Sequence, residues 1–170
     1  NPFEALRPAH AYAGLQEVRE AVAAVGRRIA AEGLEEPLRP LAIGVTGFGN
    51  VSRGAKEILD LLPCLDLSPA EFLRRDPAGA APADRVLRIF FNEPDLYVPL
   101  DPARPFDLQD YYARPEGYRA RFAPFLGRLT VLVNGIFWAP RYPRLAERAD
   151  LAALFAAGRP RLRVVGDISC

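Results

Sequence analysis

The stretch Val45-Thr46-Gly47-Phe48-Gly49-Asn50-Val51-Ser52-Arg53-Gly54 constrains this chain more than any other. It follows a short apolar run, Leu41 to Thr46, of the kind that makes a strand buried on both faces. It opens a segment from Val51 to Leu62 in which Ala55, Ile58, Leu59 and Leu62 recur at helical spacing, closed by Pro63. A G-x-G-x-x-small pattern between a strand and a helix suits a dinucleotide pyrophosphate. Gly47 permits the tight turn, and Gly49 has no side chain to keep a phosphate from the backbone. Asn50 and Val51 open the helix, whose free N–H groups carry partial positive charge. Ser52 is small enough for close helix–strand packing, and its hydroxyl is also a candidate phosphate contact. The loop is not a P-loop: no Gly-Lys-Ser or Gly-Lys-Thr follows, and Lys56 lies inside the helix.

The rest of the chain alternates in the same way. Leu15, Val18, Val22, Val25 and Ile29 give a helix from Gly14 to Ala31, ended by Gly33, with Pro37 and Pro40 after it. Further strands are expected at 64–67, 86–91, 130–134 and 161–167, and helices after Ser68-Pro69 and over 108–112, 116–126 and 151–157. Residues 76–84 and 92–105 read as loops. This order predicts an α/β fold, a Rossmann-like doubly wound parallel sheet preceded by a long helix. Residues 1–40 form the helix and linker, and 41–170 the dinucleotide-binding domain. Ligands of such sheets sit at the carboxyl ends of the strands.

That rule selects the remaining candidates. In a Rossmann unit the second strand ends near the adenosine ribose, about 20 residues after the first glycine. Asp66 at the strand tip suits NAD, because a carboxylate accepts from the ribose hydroxyls. Ser68 at the tip, with Arg74 or Arg75 nearby, suits the 2′-phosphate of NADP. Asn134, Gly135 and Ile136 end the fourth strand, where backbone groups face the nicotinamide ribose, and Phe137 and Trp138 are candidates for the nicotinamide pocket. Asp167 and Ser169 end the fifth and are substrate-facing candidates. His10, the only histidine, reads as a capping or packing residue.

Composition narrows the class. Net charge is +1, which argues against nucleic acid or an anionic membrane as partner. No apolar run approaches the roughly 20 residues of a membrane span. The two cysteines, Cys64 and Cys170, have no metal-ligand spacing, so no metal is expected and a reduced compartment is the default. A homo-oligomer is compatible with the sequence.

Thr46-Gly-Phe-Gly-Asn-Val-Ser-Arg-Gly-Ala-Lys-Glu-Ile58 resembles the nucleotide loop of lysine-ketoglutarate reductase, the reductase half of aminoadipic semialdehyde synthase. Pro8-Ala-His-Ala-Tyr12, Leu132-Val-Asn-Gly-Ile-Phe-Trp138 with Pro143-Arg-Leu145, and Gly166-Asp-Ile-Ser169 resemble further segments of that family, in its order and spacing. The resemblance implies the fold of the alanine dehydrogenase and transhydrogenase nucleotide domains. It also implies condensation of lysine with 2-oxoglutarate to saccharopine, using NADPH, with NADH as the alternative, in the cytoplasm or mitochondrial matrix. The family's catalytic Lys and His belong to a substrate domain that would precede Asn1, so the catalytic residues of this chain are unknown, and the chain alone is expected to bind dinucleotide weakly without catalysis. An alanine-dehydrogenase-like enzyme and a non-catalytic nucleotide sensor are the alternatives.

Overall fold

A computed structural model describes residues 1–76, 82–156, 158 and 160–168. Five strands form one parallel sheet: β1 (Ala42–Thr46), β2 (Cys64–Leu67), β3 (Val86–Phe91), β6 (Val131–Asn134) and β7 (Val164–Asp167). Their spatial order is β2-β3-β1-β6-β7. All five carboxyl ends therefore lie on one edge, and the α/β, Rossmann-like class expected from the sequence is the one observed.

Strand composition explains the order. β3 reads Val-Leu-Arg-Ile-Phe-Phe with nearly every residue buried, as a central strand must. β2 has four residues, alternates apolar with polar, and none is fully buried, which suits an edge. The side-chain period of two then sorts the sheet's faces. Ile43, Val45 and Val86 pack with Val25 and Ile29 of α1 (Leu15–Glu32). Leu87, Ile89, Phe91 and Leu132 turn to the opposite face and join an aromatic cluster.

That cluster comes from the segment between β3 and β6, where structure and sequence reading part. The expected loop over 92–105 contains α4 (Glu93–Leu96) and β4 (Tyr97–Pro99). The expected helix over 116–126 is broken into a 3₁₀ turn, β5 (Tyr118–Ala120) and α6 (Ala123–Leu126). β4 and β5 pair antiparallel as a separate two-stranded ribbon. The rings decide this. Tyr111 of α5 (Leu108–Ala113) stacks on Tyr97 at 4.9 Å and meets Tyr118 edge-on at 5.3 Å. Phe91 meets Phe122 at 5.0 Å and Phe125 at 4.8 Å, both edge-on. A continuous helix over 116–126 would leave Tyr97–Pro99 without a strand to pair with.

Two further helices flank the crossovers: α2 (Asn50–Leu59) after β1 and α3 (Pro69–Arg74) after β2. A last helix, α7 (Arg148–Ala156), precedes β7. No helix is long and apolar enough to cross a membrane among the described residues.

Candidate functional site at the carboxyl edge

The glycine loop leaves β1 at the centre of the carboxyl edge. Gly47 has φ of +85°, a conformation that disfavours any side chain. Its N–H donates to the Phe91 carbonyl at the end of β3 (3.3 Å). On its other side the loop is packed hard against the turn after β6. A Cβ on Gly47 would stand 3.0 Å from the Gly135 carbonyl oxygen, and a Cβ on Gly135 would stand 2.7 Å from Ser52 Oγ. Three residues without bulk thus bring β1, α2 and the end of β6 together.

Ser52 is buried and donates its hydroxyl to the Thr46 carbonyl (2.8 Å), which also accepts from the Gly135 N–H (3.2 Å). Of the two roles expected for Ser52, close packing is the one its geometry serves, because the hydroxyl is committed to the main chain. Gly49 differs from its neighbours. It caps α2 with no side-chain hydrogen bond, and a Cβ built there meets nothing within 4 Å. The first N–H groups of α2, at Asn50 and Val51, have no partner within the helix. Asn50 is also held from within the helix, by the guanidinium of Arg53.

A polar chain runs from β1 across the neighbouring strand ends. Thr46 Oγ1 donates to Asn134 Oδ1 (2.6 Å), and Asn134 Nδ2 donates to Asp167 Oδ1 (2.9 Å). One carboxamide thereby ties together the tips of β1, β6 and β7. Beside it lies a pocket of about 270 Å³ lined by Asn134, Ile136, Trp138, Arg144, Val165 and Asp167. The guanidinium of Arg144 lies over the Trp138 ring at 5.1 Å. Asn134, Ile136, Trp138 and Asp167, expected from the sequence, converge here. Phe137 is 70% exposed and stays out of it. Ser169 lies outside the described residues.

The ribose candidates are placed differently. β3, not β2, is the neighbour of β1, so Asp66 and Ser68 end a strand that does not touch the glycine loop's strand. Both are occupied. Asp66 accepts from Arg88 Nε and Nη2 (2.7 and 3.0 Å), and that hydrogen bonding holds its carboxyl below the ordinary value of 3.8. Arg88, buried on β3, also reaches Asp60 at the end of α2 (2.6 Å). Ser68 caps α3 in a reciprocal capping box with Glu71. Arg74 and Arg75 belong to that same edge of the sheet.

The residues that do follow the strand beside β1 are Asn92 and Glu93, which sequence reasoning missed. Asn92 and Asp95 form a capping box, and Glu93 Oε1 accepts from the Tyr112 hydroxyl (3.1 Å). The signal was available: five apolar residues in a run of six mark 86–91 as a central strand, and the four-residue run at 64–67 as the edge. Thr46 was missed as well, because its role is visible only when Asn134 is placed opposite it in the parallel register.

Comparison with known proteins bears on the family of the chain. The chain is 35% identical over 99% of its length to alpha-aminoadipic semialdehyde synthase of Arabidopsis thaliana. It is 31% identical over 93% of its length to the mitochondrial alpha-aminoadipic semialdehyde synthase of Bos taurus, and 32% over 90% to that of Mus musculus. The chain is homologous to one segment of the alpha-aminoadipic semialdehyde synthases. It spans about a sixth of the length of these relatives, 16–17%. No family model matches it. The synthase relationship and the carboxyl-edge site therefore rest on separate grounds, sequence identity for one and packing geometry for the other.

Proposed function

We propose that this chain is the dinucleotide-binding part of a saccharopine-forming reductase, an NAD(P)-dependent oxidoreductase acting on CH–NH bonds. One observation carries the reading: Gly47, Gly135 and Ser52 close the turn out of β1 tightly, while at Gly49 the start of α2 opens on free space at the carboxyl edge of the sheet. A pyrophosphate fits there against the N–H groups of Asn50 and Val51. The bound dinucleotide supplies the hydride, and the protein supplies position. Thr46, Asn134 and Asp167 hold the strand tips in register. Asn134 and Asp167, with Trp138, line the pocket that suits a nicotinamide ring and its carboxamide. Lysine and 2-oxoglutarate, and saccharopine in reverse, are the substrates the relationship suggests, met together with the rest of the protein in the cytoplasm or the mitochondrial matrix.

NADPH is the cofactor the resemblance implies. A specific feature favours the alternative, NADH. β3, beside β1, ends at Phe91 and runs through Asn92 into α4, whose first turn holds Glu93 and Asp95, and two carboxylates there oppose a 2′-phosphate while suiting a free 2′-hydroxyl.

The chain has one tryptophan, Trp138, and it lines the proposed nicotinamide pocket. Titration with NADPH and with NADH, followed by energy transfer from Trp138 to the reduced nicotinamide, tests the reading directly. Saturable transfer that is lost in Gly49→Asp supports it. No binding of either form at millimolar concentration rejects it.

A further inference from the structure

The opposite edge of the sheet carries a second pocket, of about 210 Å³. It lies at the amino ends of β1 and β6, between the 3₁₀ turn Glu36–Leu38 and the residues leading into β7. Its polar lining is Glu36, Arg39, Thr130, Arg161 and Arg163. Three guanidinium groups therefore share a small cavity with a single carboxylate.

That carboxylate does not balance them. Glu36 pairs with Arg39 Nη2 at 2.7 Å but is 84% exposed, so its charge is spread largely into solvent. Arg161 Nη2 donates to the Pro40 carbonyl (2.9 Å), a neutral acceptor that also takes the Thr130 hydroxyl (3.1 Å). Arg39 Nε and Arg161 Nε are buried without any hydrogen-bond partner. A buried guanidinium N–H left unpaired is costly, and a native fold keeps few of them. Burial first, and then the adjacent Arg163 charge, work against the positive charge of Arg161. Among the described residues nothing offsets this. The cavity is too small for a drug-sized ligand, which needs about 300 Å³ or more, and suits a compact anion.

We propose that this pocket binds a small oxyanion, a carboxylate or a phosphate, held by the guanidinium groups of Arg39, Arg161 and Arg163. Guanidinium forks match both ions bidentately, and both relieve the mutual repulsion of Arg161 and Arg163. The site lies at the other end of the strands from the glycine loop, so it is separate from the dinucleotide reading and does not depend on it.

The test is thermal unfolding of the chain in a chloride buffer of constant ionic strength, with inorganic phosphate or glutarate added in turn. At about five times its dissociation constant, a ligand of the folded state raises the midpoint of a chain this size by about 2–4 °C. We expect a saturable rise with at least one of the two, and which one responds identifies the source of the oxyanion. The rise should vanish in Arg161→Gln and shrink in Arg163→Gln, an exposed change that leaves the core intact. It should persist in Gly49→Asp, which alters only the far edge. No rise with either anion overturns the proposal. So does a rise that survives in both arginine variants, or one that disappears in Gly49→Asp, since each places the anion elsewhere.

Discussion

Two crossovers leave the central strands of this sheet, and they are built on opposite principles. The β1–α2 crossover is held by smallness: Gly47, Gly135 and Ser52 let main chains touch, and Gly49 leaves a gap. The crossover from β3 to β6 is held by bulk: Phe91, Tyr97, Tyr111, Tyr118, Phe122 and Phe125 fill the space with rings. The contrast indicates a division of labour. Ring packing buries large apolar areas and carries stability. Glycine packing buries little, but it fixes main-chain positions closely enough for a ligand to read them.

The largest expected effect falls on the bulky side. Phe122 is fully buried and sits edge-on to Phe91. Phe122→Ala should cost about 3–5 kcal/mol in urea unfolding, because ring contacts are lost and a cavity remains. A loss below about 1 kcal/mol would mean the aromatic segment is only a spacer and that the division of labour is false.

The glycine side makes a paired prediction that no uniform view of glycine does. Gly47→Ala forces a side chain onto φ of +85° and against the Gly135 carbonyl, and should cost about 1–2 kcal/mol in stability as well as dinucleotide binding. Gly49→Ala meets no atom and has ordinary backbone angles, so stability should stay within about 0.5 kcal/mol of the parent. Its dinucleotide affinity should nevertheless fall, because the added methyl occupies the proposed pyrophosphate space. If both variants lose stability equally, Gly49 is structural and the open space is not a site.

The two crossovers were not equally legible. The glycine crossover announces itself because its constraints are local: a buried-type strand, two glycines two apart, and a helix with one apolar stripe. The aromatic crossover hides because its constraints are not local. Tyr118–Ala120 becomes a strand only because Tyr97–Pro99 lies opposite, and three-residue strands containing a proline carry no usable period. Strand order was hidden for a related reason. Chain order brings β2 directly after the glycine crossover, yet β3, with six apolar-rich residues, buries more surface beside β1 and takes that place. Asp66 and Ser68 were therefore sought as ribose readers where the structure puts an ion pair and a helix cap.

The crossovers meet where β3 ends beside the glycine loop, and cofactor choice tests whether that meeting matters. If Glu93 and Asp95 face the adenosine ribose, NADH should bind more tightly than NADPH, and Glu93→Gln should narrow the ratio by up to about tenfold. Ser68→Ala should leave the ratio unchanged. Because a folding defect weakens both dinucleotides alike, the ratio isolates selectivity from stability. A ratio moved by Ser68→Ala and untouched by Glu93→Gln would return the ribose to the edge strand.

The smallest effect belongs to the ion cluster that occupies that edge. Arg88 holds Asp66 below its ordinary value of 3.8, and Lys56 and then Arg88 do the same for Asp60. The sign follows from which state binds protons more readily. The unfolded carboxylates take up protons first, near their ordinary value, so the stabilisation is complete above about pH 4 and is lost as pH falls through the lower folded values. Asp66→Asn should therefore flatten the acid limb of a stability–pH curve below pH 4, and change stability at pH 7 by less than about 1 kcal/mol, because the Asp66 side chain is 65% exposed and screened. Asp60 remains on Arg88 in that variant, so the buried cation keeps one partner. Arg88→Ala removes the common partner and should flatten the limb further than Asp66→Asn does. An acid limb unchanged in both variants would mean that the edge strand is held by its apolar contacts alone, and that Asp66 is free to serve a ligand after all.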